Sequence, residues 1–280
     1  MKGRLPLIAA FAAAFALFTA AVPCRADRAL RLSDRQIIDF KRMITEIRGV
    51  RLIFIGEDHD RMEDHWRQSR IIKALHEAGS PLAIGLEMFT GESQAALDMW
   101  VAGRMDERTF ANIYGHNWDM PWYLYRNIFI YAQGHGIPLI GLNLQREIVH
   151  KVAREGFAAL TPEERGKLPA GVTCNVDSAY VAMVRRAFAG HGGSDRSFIH
   201  FCEAQMLWNK AMARRIAEYC RAHPSTTVIV LAGTGHAMKP GIPSELADGV
   251  GLALRVIIPE DATFDRDTAT AADADYLLVP

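Results

Sequence analysis

Residues 51–59, RLIFIGEDH, constrain the fold of this 280-residue chain more than any other stretch. Leu52, Ile53, Phe54 and Ile55 form an unbroken apolar run of β-favouring residues. Such a run suits a strand covered on both faces, as in a parallel sheet beneath helices. It stops at Gly56, and Glu57, Asp58, His59 and Asp60 follow at once. Open α/β sheets build their sites at such carboxyl ends of buried strands. A second run at 226–232, TTVIVLA, leads into Gly233-Thr234-Gly235-His236, so both runs finish in Gly-x-x-His. Between them LAIGL at 82–86 ends in Glu87, and IPLIGL at 137–142 ends in Asn143. If these strands are parallel neighbours, Glu57, His59, Glu87, Asn143 and His236 crowd one edge of the sheet.

Helical and strand patterns alternate along the rest of the chain. Ser33 is an expected N-cap for a helix running to about residue 48, with Ile37, Ile38, Phe40, Met43, Ile44 and Ile47 as its apolar stripe. Residues 61–78 read as a helix stopped by Gly79-Ser80-Pro81. Residues 91–135 read as helices added beside the sheet, rich in aromatics whose helical spacing points to core. Residues 147–157 continue helically, and Thr161-Pro162-Glu163-Glu164 reads as a capped start with proline in the first turn. Two further helices are expected at 177–189 and 195–221, then a fifth strand at 252–258 and an edge strand at 276–279. The alternation predicts one domain from residue 27 to 280. Its fold class is α/β, a three-layer α/β/α arrangement with a mostly parallel sheet of about five strands and a helical insertion.

Residues 1–26 have the form of an export signal. Lys2 and Arg4 precede an apolar run at 7–22, and Cys24-Arg25-Ala26 surrounds the expected cleavage point. Pro23 directly before Cys24 disfavours lipid attachment there, so a soluble exported protein, periplasmic in location, is the expectation. Cleavage removes three of the 32 basic residues and none of the 32 acidic ones. The slightly acidic remainder argues against a nucleic-acid partner, which would want a basic face. Cys174, Cys202 and Cys220 then remain, leaving open one disulfide involving Cys174 or three buried thiols.

His59 after one buried strand is unremarkable, but His236 after a second strand of the same design points to a shared site. Glu57 and Glu87 fall where an apolar strand reaches the sheet edge. A carboxylate there is costly unless paired with a cation, a metal or hydrogen-bond donors. Two histidines with one or two carboxylates can hold a divalent metal with a position open for water, with His59, Glu87 and His236 as the ligands. They can equally act as general base and stabiliser without metal. His65 sits six residues beyond His59, within reach of the same edge. The chain has no P-loop, GxGxxG or GxSxG motif.

Six segments together resemble the ChaN-like haem-binding uptake proteins of the Tiki/TraB/erythromycin-esterase superfamily. They are GEDHD from Gly56 with His65 and Gln68 following, GLEMF at 85–89, and Tyr125 with Ile128, Ala132 and GIPLIGLN at 136–143. The others are AQMLWNKAMA at 204–213, GTGHAMKPGIP at 233–243 and ADYLLVP at 274–280. Asn209 departs from the pattern, since the family usually carries an acid after the tryptophan. The resemblance implies haem binding within iron uptake, as a stacked pair across a homodimer and in concert with an outer-membrane uptake system. On this reading Tyr125 is the first candidate for axial ligand, an exposed histidine the alternative, and His65, Gln205 and Trp208 accompany it in cofactor binding. The wider superfamily implies instead a metal-dependent protease or esterase, with Glu57, His59, Glu87 and His236 in catalytic positions.

Overall fold

Burial on both faces of the apolar runs builds one sheet. The computed structural model describes residues 28–168, 172, 173, 176, 178–187, 195–246 and 251–279. The strands among them are β1 (Arg28–Arg31), β2 (Gln36–Asp39), β3 (Leu52–Glu57), β4 (Leu82–Thr90), β5 (Leu139–Asn143), β6 (Thr227–Gly233), β7 (Leu254–Pro259) and β8 (Tyr276–Val279). Their spatial order is β2-β1-β8-β7-β3-β6-β4-β5. The five strands expected from sequence form the parallel block β7-β3-β6-β4-β5. β8 joins this block parallel to β7, and β1 and β2 extend it antiparallel.

The helices are α1 (Phe40–Ile47), α2 (Met62–Glu77), α3 (Gln94–Val101), α4 (Glu107–Asn117), α5 (Trp122–His135), α6 (Arg146–Glu155), α7 (Pro162–Gly166), α8 (Ser178–Ala187), α9 (Asp195–Ala222), α10 (Thr234–Ala237) and α11 (Ile242–Leu246). Strand alternation sends Ile53, Ile55, Ile229 and Leu231 to one face, where they pack with residues of α1, α2 and α5. Leu52, Phe54, Val228 and Val230 point the other way, against Met212, Ile216 and Cys220 of α9. Helix, sheet and helix therefore form the three layers. The aromatics of 91–135 fill the first of them: Trp100, Phe110, Tyr114 and Phe129 are buried in one cluster. Ring stacking of Trp100 on Phe110 at 4.3 Å adds a directional contact there.

Two local expectations are corrected. The first helix starts at Phe40 rather than near Ser33, with Asp39 as its N-cap accepting from Arg42 N at 2.8 Å. Upstream, Gln36–Asp39 pairs with β1, because a hairpin satisfies backbone groups of a segment whose Ile37 stays 51% exposed. β8 is not an edge strand but lies between β1 and β7, where its four side chains are all buried. The expected capping box is present, with Thr161 accepting from Glu164 N and Glu164 from Thr161 N. The expected signal at 1–26, Cys24 and Cys174 lie outside the described residues. Cys202 and Cys220 are free, buried thiols. Among the described residues no helix is long and apolar enough to cross a membrane.

Candidate functional site

The parallel register brings the two Gly-x-x-His segments together. β6 lies between β3 and β4, and Glu57 is paired in register with Gly233. The carboxyl ends of three adjacent strands thus deliver Glu57, Glu87 and Gly233 to one point, and the segments that follow, a turn after β3 and the short helix α10 after β6, deliver His59 and His236. Asn143, the fourth strand-end residue, donates from Nδ2 to the Glu87 carbonyl at 2.7 Å and so braces the end of β4.

Glu57 is 2% exposed and accepts four side-chain contacts. Its Oε1 accepts a hydrogen bond from the Tyr125 hydroxyl and faces His59 Nδ1 at 2.9 Å. Its Oε2 accepts from Gln68 Nε2 at 2.7 Å and lies 3.4 Å from His65 Nδ1. Burial alone would raise its pKa, but the His59 and His65 partners outweigh that and hold it at about 2. The same pairing acts in reverse on His59. Burial disfavours the imidazolium, yet Glu57, Glu87 and Asp58 together push it up to about 9. His59 is therefore charged near neutrality, with Nδ1 committed to Glu57 and Nε2 making no hydrogen bond among the described residues. Trp118 packs edge-on against its ring at 4.9 Å.

The β6 half is built differently. Helix α9 carries Gln205, Trp208 and Asn209 at spacings of three and four, which places them on one face. Asn209 Oδ1 lies 2.7 Å from His236 Nδ1, an acceptor that fixes the Nδ1–H tautomer. His236 Nε2 is 3.7 Å from Glu87 Oε1, while Glu87 Oε2 accepts from Gly233 N at 2.7 Å. Burial first, then the nearby His59 charge, lowers the His236 pKa against the pull of Glu87, so this imidazole is neutral. Trp208 packs edge-on to His236 at 5.4 Å, as Trp118 does to His59.

Between the halves lies a cleft of about 500 Å³, within the range of small-molecule sites. Trp118, Phe201, Trp208 and Phe264 supply its aromatic walls. Glycine is required at 233, because a Cβ there would lie 2.8 Å from His59 Cε1 and 3.1 Å from its Nε2. Gln205 Oε1 and Trp208 Nε1 are buried without a hydrogen-bond partner among the described residues. Unsatisfied buried polar atoms are uncommon in native structures and call for an explanation. Asp261 and Phe264, from the segment after β7, complete the cleft, and neither stood out in the sequence. No local motif marks them; only the β3–β7 pairing brings them near.

The structure separates the expected site residues. Glu57, His59, Glu87 and His236 converge on the cleft, and Gln205 and Trp208 line it. Tyr125 and His65, expected as cofactor contacts, do not line it. Tyr125 is fully buried in the aromatic layer with its hydroxyl turned to Glu57. Burial and that carboxylate push its pKa upward, the opposite of what a tyrosinate ligand needs. His65 is 1% exposed, its Nε2 3.1 Å from the His59 carbonyl. The expected metal trio is also corrected. Among the described residues no group of three or more His, Cys, Asp or Glu is arranged to hold a metal ion. One Glu87 oxygen is taken by Gly233 N, and His236 is held through Asn209 rather than by a carboxylate.

Comparison with known proteins gives the following relations. The sequence profile of the haem-binding uptake family of the Tiki superfamily, ChaN, matches residues 43–246. A solved structure of ChaN from Campylobacter jejuni, described for cofacial haem binding, is 20% identical with a TM-score of 0.70. That alignment covers 91% of this chain and 97% of the other, and shows the same fold. The erythromycin esterase EreC, in an open conformation, is 14% identical with a TM-score of 0.47, covering 86% of this chain and 78% of its own. No curated protein sequence matches.

Proposed function

The chain belongs to the ChaN haem-binding uptake family of the Tiki superfamily, and from that premise we propose that the aromatic cleft binds haem in an exported protein of iron acquisition. His59 carries this reading. Its Nε2 is free beside the cleft while Nδ1 is held by the buried Glu57 carboxylate at 2.9 Å. Histidines that ligate metals commonly have this second partner, which orients the ring and raises its basicity. Trp118, Trp208, Phe201 and Phe264 suit a flat apolar macrocycle, and the bare Cα of Gly233 opens the approach to His59. When bound, haem supplies a Lewis-acidic iron centre on a planar apolar ring. The residues would orient it: His59, its Nε2 proton lost to solvent, would offer the lone pair, Glu57 would keep the Nδ1 proton in place, and the tryptophans would exclude water. Gln205 Oε1 and Trp208 Nε1 offer an acceptor and a donor at the cleft wall.

The export expected from residues 1–26 places this activity in the periplasm, next to an outer-membrane haem or iron uptake system. The Campylobacter relative binds haem cofacially, and the same arrangement here brings a second copy of this chain to the cleft mouth as a homodimer. Absorbance titration of the purified protein with haemin tests the central reading. Wild type is expected to bind with a histidine-ligated spectrum, His59→Ala to lose that spectrum, and Tyr125→Phe to keep it. Absence of binding by wild type, or an unchanged spectrum in His59→Ala, overturns the reading.

A further inference from the structure

Beyond the paired Glu57 and His59, the charged groups that line the cleft are all acidic, although the chain as a whole carries equal numbers of basic and acidic residues. Glu57, Asp58, Glu87 and Asp261 contribute carboxylates to its lining, and no lysine or arginine does. Asp58 and Asp261 are close enough that, after burial, the second acid is a cause of the raised Asp58 pKa. A second, independent feature points the same way. Gln205 lines the cleft and is 4% exposed, and its carbonyl oxygen, Oε1, has no hydrogen-bond partner among the described residues. An unpaired acceptor in a ring of carboxylates favours a positive group in the space between them. The walls add four aromatic rings, Trp118, Trp208, Phe201 and Phe264, a residue type whose π density attracts cations.

We propose that the cleft selects planar ligands whose centre carries positive charge, so that trivalent metalloporphyrins bind in preference to divalent and metal-free ones. This rests on the haem reading above and adds to it the charge of the centre as a determinant of choice. Asp261 is the informative residue because it stands apart from the strand-end cluster. Its Oδ1 accepts from Thr263 N at 2.6 Å and Phe264 N at 2.7 Å, a turn that asparagine forms equally well. Asp261→Asn therefore removes charge while keeping the loop.

The test is a fluorescence titration of the purified protein with gallium(III), zinc(II) and metal-free protoporphyrin IX, which share one macrocycle and its two propionates. Gallium and zinc both take an axial ligand, so their comparison isolates the charge of the centre. Gallium is expected to bind about tenfold or more tightly than zinc, the low end of what an opposite charge within a few ångströms does to an ionisable group. Asp261→Asn is expected to narrow that gap by about two- to fivefold, the scale of a partly exposed charge pair. Circular dichroism confirms that the variant keeps its fold. Equal affinity for gallium and zinc, or a full gap retained in Asp261→Asn, overturns this inference alone. Failure of all three porphyrins to bind removes the haem reading as well.

Discussion

The two Gly-x-x-His segments share a backbone design and differ in charge. Each follows a buried parallel strand, and each histidine lies edge-on to a tryptophan, His59 to Trp118 and His236 to Trp208. What differs is the group facing Nδ1. For His59 it is the Glu57 carboxylate at 2.9 Å, and for His236 it is the Asn209 amide oxygen at 2.7 Å. An amide fixes the tautomer but supplies no charge, so burial decides and His236 is neutral. A carboxylate supplies the charge, and His59 is raised to about 9. One cleft thereby holds an imidazolium and an imidazole on matching scaffolds, and the difference comes from one oxygen-bearing partner in each half.

Removing the Glu57 charge should break the comparison most severely. Glu57→Gln leaves His59 and His65 without their buried counter-charge and is expected to cost about 3–5 kcal/mol, the scale for breaking a buried pair from one side. Urea denaturation at pH 7 measures this. The pH dependence has a definite sign on both limbs. Glu57 is depressed from 4.5 to about 2, so its stabilisation is present above pH 4.5 and is lost as pH falls through 2. His59 is raised from 6.5 to about 9, so its contribution is full below pH 6.5 and is lost as pH rises through 9. Wild type should be most stable between those limbs, and Glu57→Gln should flatten both. A variant with wild-type stability and an unchanged pH profile would remove the account of Glu57 as the organising charge.

Making the halves alike is the next test. Asn209→Asp places a carboxylate against His236 Nδ1 and should move the His236 titration midpoint upward by about one to three pH units. NMR titration of the imidazole resonances reads this directly. A midpoint that stays put would mean that burial, rather than the identity of the Nδ1 partner, separates the two histidines. The smallest effect is expected from Tyr125→Phe. It deletes one of several donors to Glu57 and should cost about 1–2 kcal/mol, with the His59 midpoint rising slightly as the carboxylate concentrates on fewer partners. A loss above about 4 kcal/mol would make Tyr125, rather than the histidines, the main support of the buried carboxylate.

The apolar runs at 52–55, 82–86, 139–142 and 227–232 point by themselves to a buried parallel sheet, because short unbroken apolar stretches that end in turn residues suit strands covered on both faces. Their Gly- and carboxylate-bearing ends determine that a site forms on one edge. Those are short-range facts, legible from consecutive residues. β1 and β2 are not legible in this way: at four residues each they take their conformation from pairing with β8 and with each other. The chemistry of the site is likewise decided by distant neighbours. Tyr125 reaches Glu57 across 68 residues of sequence, which withdraws the phenol from the cleft and into the core. Asn209 reaches His236 across 27, and Asp261 arrives only because β7 pairs with β3. Protonation depends on burial and on charges within a few ångströms. Residue order can therefore place the histidines at the sheet edge, and only the packed layers decide which of them is charged.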